Sequence, residues 1–221
     1  MGSVSYMREN GFYKTVYDCG VVPVVVLDRV EDAVPLAHAL EEGGLPAAEV
    51  TFRTPVAAEC IRRIAQECPD VLVGAGTVLN LEQAKHAVDA GARYLVSPGT
   101  DEETVLWALA NEVNVIPAGV TPTEIGWLAN QGVELTKFFP AALSGGVEAI
   151  KALASVFVGH LFMPTGGVSS RNLSEYLSAP PVVAVGGTWM VKPQLFADGD
   201  FSRVVSLSRE VAHSVRAIRS S

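Results

Sequence analysis

Eight short apolar runs alternate with helical patterns along the chain, and this alternation predicts an α/β protein that folds as a (β/α)8 TIM barrel with an extra N-terminal helix. The runs begin about every 20 to 27 residues, which is the length of one strand, one helix and two short loops. They are apolar on consecutive residues, as expected for parallel strands that are covered on both faces. An open, doubly wound sheet is the rival arrangement, but the GAGTV segment lacks the glycine spacing of a dinucleotide-binding fingerprint.

The predicted strands are rich in the β-branched and aromatic residues that favour buried strands. They are VVPVVVL (21–27), AAEVTF (47–52), VLVGAG (71–76), RYLVS (93–97), VNVIPA (113–118), ELTKFF (134–139), LFMPTG (161–166) and PVVAVG (181–186). Because a helical pattern follows each run, we expect parallel strands whose carboxyl ends meet at one face of the barrel.

Capping and stop signals mark the predicted helix ends. Asp28 precedes the first helical pattern, and Gly43–Gly44 follows it. Asn80 and Asp101 can cap the helices after the third and fourth strands, and Gly91 can end the earlier of these two.

The chain is expected to form a single domain over residues 1–221, because no linker, charge block or low-complexity stretch interrupts the pattern. Residues 1–18 are predicted as an N-terminal helical extension, with a helix over roughly 3–18 that covers the bottom of the barrel. Pro35 falls inside the first helical pattern after the first strand, where a proline removes a backbone donor and weakens the prediction.

Composition excludes several classes of function. The net charge of −8 argues against nucleic acid and against anionic membrane surfaces as partners. No run reaches the roughly 18 apolar residues of a membrane span, and the N-terminus lacks the apolar core of a signal peptide, so a cytoplasmic protein is expected. The three cysteines show no CxxC spacing and the four histidines are scattered. We therefore expect reduced packing thiols, no metal site and no cofactor.

The chemistry is expected at the carboxyl ends of the strands. Lys137 lies inside an apolar run, where burial disfavours the ammonium and favours the neutral amine that acts as a nucleophile; it could also be a structural lysine paired with a carboxylate. Glu49 could relay protons near Lys137 or form a plain ion pair with it. Arg53, just beyond the same strand as Glu49, offers a planar fork for a carboxylate or is simply a surface arginine.

Glycine pairs follow the last two predicted strands. Gly166–Gly167 and Gly186–Gly187 supply backbone N–H groups at successive strand ends, where barrels of this type hold phosphate, and Thr188 adds a hydroxyl donor. Glycine pairs also occur simply in turns. We predict that the amides of Gly166, Gly167 and Gly187 bind phosphate together with Thr188.

Seven strand-end segments resemble one family, in order and at matching intervals over about residues 20–192. They are EVTFRTP, VGAGTVLN, VSPGT, TPTE, KFFPA, PTGGV and VGGTWM. Together they are similar to the 2-keto-3-deoxy-6-phosphogluconate (KDPG) aldolases, whose members often also cleave 4-hydroxy-2-oxoglutarate (KHG). The resemblance implies a class I lyase that acts on a small keto-acid phosphate and assembles as a homotrimer.

The resemblance also assigns roles by position. The Schiff-base lysine of the family corresponds to Lys137 in KFFP, and its catalytic glutamate to Glu49 in EVTFRT. The contacts to the pyruvate carboxylate correspond to Arg53 in FRTP and Thr77 in GAGTV. The phosphate contacts correspond to groups on Gly166, Gly167 and Thr188.

Two positions depart from the family pattern, and three further functions stay open. Ala118 follows Pro117 where the family usually has glycine, and it could narrow the pocket mouth; Thr188 stands where many members carry serine. The galactonate-epimer aldolases resemble the chain less, since they tend to lack the FRT arginine and the PTGG and GGTW forms. The chain could also be an isomerase or epimerase that uses Lys137 electrostatically, or a non-catalytic sugar-phosphate sensor.

Overall fold

The structure, a computed structural model, describes residues 11–220. Its strands are β1 Val21–Val25, β2 Ala47–Thr51, β3 Leu72–Gly76, β4 Tyr94–Val96, β5 Asn114–Ile116, β6 Leu135–Phe138, β7 Leu161–Pro164 and β8 Val185–Gly187. Its helices are α1 Gly11–Cys19, α2 Ala33–Glu42, α3 Ala57–Glu67, α4 Leu81–Asp89, α5 Glu102–Ala110, α6 Pro122–Asn130, α7 Gly146–Val156, α8 Leu173–Leu177 and α9 Ser202–Ser220, with short 3₁₀ turns at Val30–Asp32 and Pro193–Leu195. The predicted alternation of strands and helices is therefore present in this part of the chain.

The strands pair in parallel and form an α/β fold with a half-barrel sheet. Six of them are ordered β5-β4-β3-β2-β1-β8, and β6 and β7 form a second pair. Isolated parallel bridges join Ala118 to Lys137, Phe162 to Val182 and Thr165 to Gly186. The carboxyl ends of all these strands consequently point the same way, which is the geometry that gathers strand-end side chains into one site.

Burial follows from the consecutive apolar residues of the strands. Every residue of β1, β2 and β3 is buried, as expected where helices cover the outside and side chains fill the inside. Cys19, Cys60 and Cys68 are free thiols packed in the interior. No helix among residues 11–220 has both the length and the apolar character that crossing a membrane requires.

Several predicted helix ends are confirmed by their hydrogen bonds. The Asn80 side chain accepts from the amide of Gln83, and the Asp101 side chain accepts from the amide of Thr104, so both residues cap their helices. Gly91 follows α4 with φ +99°, a left-handed conformation that glycine adopts without steric cost.

Two predicted boundaries are wrong. Asp28 does not cap α2, because a 3₁₀ turn at Val30–Asp32 intervenes and the helix begins at Ala33. Pro35 consequently lies in the first helical turn, where its missing N–H has no intrahelical partner to lose. β8 begins at Val185 instead of residue 181, because the segment before it makes only one isolated bridge. The predicted N-terminal helix is described only as α1, since residues 1–10 lie outside the described part.

Candidate active site

A cavity of about 140 Å³ opens at the carboxyl ends of the strands. Six of the eight site residues predicted from the sequence line it, namely Arg53, Thr77, Lys137, Gly166, Gly167 and Thr188. Glu49 lies behind Lys137, and Gly187 lies beside the lining residue Gly186. Residues that are distant in sequence therefore meet in one place because their strands end at the same face.

Lys137, which lines the cavity, forms a buried pair with Glu49 behind it. Lys137 Nζ donates to Glu49 Oε1 over 3.1 Å, and the two side chains are 7% and 0% exposed. The ammonium also lies 5.5 Å from the centroid of the Phe139 ring. The amide of Lys137 donates to the carbonyl of Pro117, and the amide of Gly119 donates to the carbonyl of Lys137. These two bonds hold β6 against the segment that follows β5. The amine is thus held inside the protein beside a carboxylate that can take or return a proton.

Gly76, at the end of β3, makes room for the Glu49 carboxylate. A Cβ atom at Gly76 would come within 2.3 Å of Glu49 Oε1 and 2.8 Å of its carboxyl carbon. Glu49 is also in register with Gly74 of β3. Two glycines of the GAG segment thus border Glu49, so this segment shapes the space for the acid–base group.

Arg53 and Thr77 contact each other at the rim. Arg53 Nε donates to Thr77 Oγ1 over 3.3 Å, and the arginine side chain is exposed. Thr77 has φ +57°, a conformation that a β-branched residue adopts only at a cost of ~1–3 kcal/mol. Such strain is typical of functional sites, and Thr77 and Arg53 both line the cavity.

The PTGG turn after β7 requires both of its glycines. Gly166 and Gly167 have φ +90° and +82°. A Cβ at Gly166 would crowd Phe139 and Pro140 at 3.3 Å, and a Cβ at Gly167 would come within 2.3 Å of the Ala142 side chain. The backbone of this turn can therefore approach a ligand closely, and it lines the cavity.

The end of β8 completes the cavity. Thr188 is an exposed lining residue, whereas Gly187 is buried and a Cβ there would come within 2.2 Å of the Trp189 ring. Gly186, the other glycine of this predicted pair, was not among the predicted phosphate contacts, yet it lines the cavity and packs against Thr165.

Six side chains that line the cavity had no role assigned from the sequence, namely Val24, Val26, Pro98, Phe139, Thr165 and Val168. The signal for the last four was their position inside the VSPGT, KFFPA and PTGGV segments. Ala118 is buried and bridges the backbone of Lys137, but it does not line the cavity, so the structure gives no support to a narrowed mouth.

A second groove and the distribution of possible metal ligands also bear on where the function lies. A larger groove of about 680 Å³ lies between α1 and α9, where exposed charged side chains such as Lys14, Asp18 and Arg216 border it, and it shares no residue with the strand-end cavity. Among the described residues, no three histidine, cysteine or carboxylate side chains come together in a metal-binding cluster. The strand-end cavity is the place where buried titratable groups and open space coincide.

The parallel α/β fold and the buried lysine–glutamate pair at the strand ends fit the class of lysine-dependent aldolases, which are lyases. The sequence profile of the family described as KDPG and KHG aldolase matches residues 14–207. The chain belongs to this family.

Individual relatives agree with that membership. The 2-dehydro-3-deoxy-phosphogluconate aldolase of Treponema pallidum is 51% identical over 88% of this chain and 93% of its own length. The KHG/KDPG aldolase of Escherichia coli is 41% identical over 89% of this chain and 92% of its own length. A structure of KDPG aldolase from Legionella pneumophila, with pyruvate captured at low pH as a covalent carbinolamine intermediate, has a TM-score of 0.86 and 40% identity, covering 89% of this chain and 96% of that one.

Proposed function

We propose that the chain cleaves 2-keto-3-deoxy-6-phosphogluconate to pyruvate and glyceraldehyde 3-phosphate through a Schiff base on Lys137. The observation that carries this proposal is the buried contact of 3.1 Å between Lys137 Nζ and Glu49 Oε1 at the strand-end cavity. Family membership and the pyruvate carbinolamine of the Legionella relative support the same chemistry.

Lys137 and Glu49 divide the steps between them. The neutral amine of Lys137 attacks the C2 ketone, and Glu49 moves the protons that let the carbinolamine lose water. The iminium then withdraws electrons as the C3–C4 bond breaks, while Glu49 accepts the proton of the C4 hydroxyl, directly or through a water. The aldehyde leaves, and the enamine is protonated at C3 and hydrolysed to pyruvate. Proton transfer by a positioned group is worth ~10² to 10⁴ in rate.

The remaining predicted residues bind the two charged ends of the substrate. Arg53 and Thr77, which touch each other at the rim, bind the carboxylate and orient C2 toward the amine. The amides of Gly166, Gly167 and Gly187 and the hydroxyl of Thr188 bind the distal phosphate. KHG carries no phosphate, so its cleavage would use only the carboxylate contacts of Arg53 and Thr77. The E. coli relative is named KHG/KDPG aldolase, after both substrates.

We further propose how the whole chain folds, how it assembles and where in the cell it works. The isolated bridges between β5 and β6 and between β7 and β8 support closure of the eight strands into a (β/α)8 TIM barrel, with α1 as part of an N-terminal helix and residues 1–221 as one domain. The family resemblance supports a homotrimer that works in the cytoplasm on a small keto-acid phosphate. The proposed mechanism uses only side chains of the chain, with no metal or cofactor, and has no nucleic-acid or membrane partner.

Pyruvate release from KDPG tests the proposal directly. The wild type should release one pyruvate per substrate, and Lys137→Ala should release none. Lys151→Ala removes an exposed lysine that pairs with Glu148 on α7, so this control should match the wild type. Conversion of KDPG to an isomer without pyruvate would favour the isomerase or epimerase, and binding without turnover would favour the sensor. Faster cleavage of the galactonate epimer would instead identify an aldolase of that specificity.

A further inference from the structure

Two buried polar atoms inside the strands have no hydrogen-bond partner among residues 11–220. They are the hydroxyl of Tyr94, whose side chain is fully buried, and Oε2 of Glu49. An unpaired buried polar atom costs ~1–3 kcal/mol. Native proteins therefore retain such atoms mainly where they serve a purpose or meet a water.

The register of the strands places these two residues at the same level. Glu49 of β2 is directly opposite Gly74 of β3, and Ala75 of β3 is opposite Leu95 of β4, so Tyr94 is the β4 neighbour of Gly74. Neighbours across a parallel sheet direct their side chains to the same face. Glu49 and Tyr94 therefore point into the same interior space from either side of a residue that has no side chain.

Gly74 allows the Tyr94 ring to pack against the backbone of β3 beside the position opposite Glu49. A Cβ atom at Gly74 would lie 2.3 to 2.5 Å from Cε1, Cδ1 and Cζ of Tyr94. The ring thus occupies the volume that a side chain at residue 74 would fill. Cζ, which carries the hydroxyl, is one of these three atoms.

The charges around the pair keep the hydroxyl protonated. Burial first, and then the Glu49 carboxylate and Cys19, hold the pKa of Tyr94 well above its ordinary value. Burial likewise raises the pKa of Cys19 in α1 to about 12, so neither group is an anion at neutral pH. The cation that faces Glu49 is Lys137, which occupies Oε1. Oε2 has no hydrogen-bond partner among residues 11–220.

We propose that Tyr94 is a positioning residue for Glu49, whose hydroxyl donates through one enclosed water to Oε2 and so fixes the rotation of the carboxylate that presents Oε1 to Lys137. Neither the hydroxyl nor Oε2 has a hydrogen-bond partner among residues 11–220, and two such polar groups are the partners that a buried water requires. This inference rests on the proposed role of Glu49 as the proton relay. It adds a residue of β4 that none of the strand-end segments includes.

Tyr94→Phe tests the proposal because it removes only the hydroxyl. Hydrogen bonds to a carboxylate favour its ionised form. Loss of the hydrogen bond that the Tyr94 hydroxyl directs to Oε2 through the water should therefore move the acidic limb of the kcat/KM profile for KDPG up by about one pH unit. The plateau of the profile at high pH should stay within about threefold of the wild type. Tyr176→Phe is the matched control, since it alters another buried tyrosine, on α8, and its profile should superimpose on the wild type.

A measurement without substrate separates this inference from the proposed function. In protein labelled with ¹³C at the glutamate carboxyls, the Glu49 resonance, assigned with Glu49→Gln, should titrate about one pH unit higher in Tyr94→Phe than in the wild type. An unmoved resonance together with a raised Tm would mean that the hydroxyl was merely an unsatisfied polar atom, and this would overturn the proposal. Absence of pyruvate release from the wild type would instead count against the proposed function, whatever the titration gives.

Discussion

Gly76→Ala should damage catalysis by moving Glu49 while leaving every proposed catalytic group in the chain. The new Cβ would lie 2.3 Å from Oε1, 2.6 Å from Cγ and 2.8 Å from the carboxyl carbon of Glu49. Ordinary contacts of this kind begin at 3.4 Å, so the carboxylate must retreat by about 1 Å. A displacement of this size at a reacting group costs ~10²-fold in rate. We therefore expect kcat for KDPG cleavage to fall by about 10²-fold.

The assay for this variant is steady-state pyruvate release, with circular dichroism to establish that the protein is folded at the assay temperature. Overpacking of this kind also costs ~1–3 kcal/mol of stability, so Tm should fall by several degrees. Gly99→Ala is the matched control, because a Cβ there meets nothing within 4 Å, and it should keep kcat within about twofold. A folded Gly76→Ala enzyme with kcat within threefold of the wild type would refute the assignment of Glu49 to the chemistry.

Three further predictions address the relay, the phosphate site and stability. Glu49→Gln should keep pyruvate binding, measured by calorimetry, but lower kcat by ~10² or more, because the amide cannot act as a base; an unchanged kcat would leave Glu49 only a structural role. Thr188→Val should weaken kcat/KM for KDPG by about 10- to 150-fold, the worth of one hydrogen bond to a charged group, and leave KHG within about threefold; equal losses on both substrates would count against a phosphate contact. Burial lowers the pKa of His160, which hydrogen-bonds Thr136, from 6.5 to about 4. As the pH falls, the unfolded chain therefore takes up this proton before the folded protein does. The contribution of neutral His160 to the free energy of unfolding should be fully present above pH 6.5 and should decline toward pH 4, by roughly 3 kcal/mol at most. Urea denaturation across this range should show the decline in the wild type and a flatter profile in His160→Gln, and equal profiles would contradict the assignment.

The sequence alone predicted the alternation of strands and helices because each strand is apolar on consecutive residues and each cap is a local signal. Asn80 and Asp101 could be assigned as caps since the bonds that they make span only three residues. The start of β8 could not be predicted, because it depends on which residues of the segment after α8 reach β1 and β7. Pairing between distant strands leaves little trace in the local pattern.

The site could be predicted as a set of residues but not as a geometry. The KFFP and EVTFRT segments indicated Lys137 and Glu49, yet nothing in either segment fixes a contact between residues that are 88 positions apart. The left-handed backbone of Thr77 and the part played by Gly74 were likewise invisible. Both depend on which atoms of neighbouring strands come close, and this becomes known only once the register is known.

The central claim is that Lys137 forms the covalent bond to the substrate, and borohydride trapping with pyruvate tests it most directly. Reduction should fix the iminium as a secondary amine and raise the mass of the protein by one reduced pyruvate adduct, which peptide mapping should locate on Lys137. Lys137→Ala should give no adduct, whereas the control Lys151→Ala, altered at an exposed lysine, should label as the wild type does. An adduct of the same mass in Lys137→Ala, or labelling that maps to another lysine, would contradict the account.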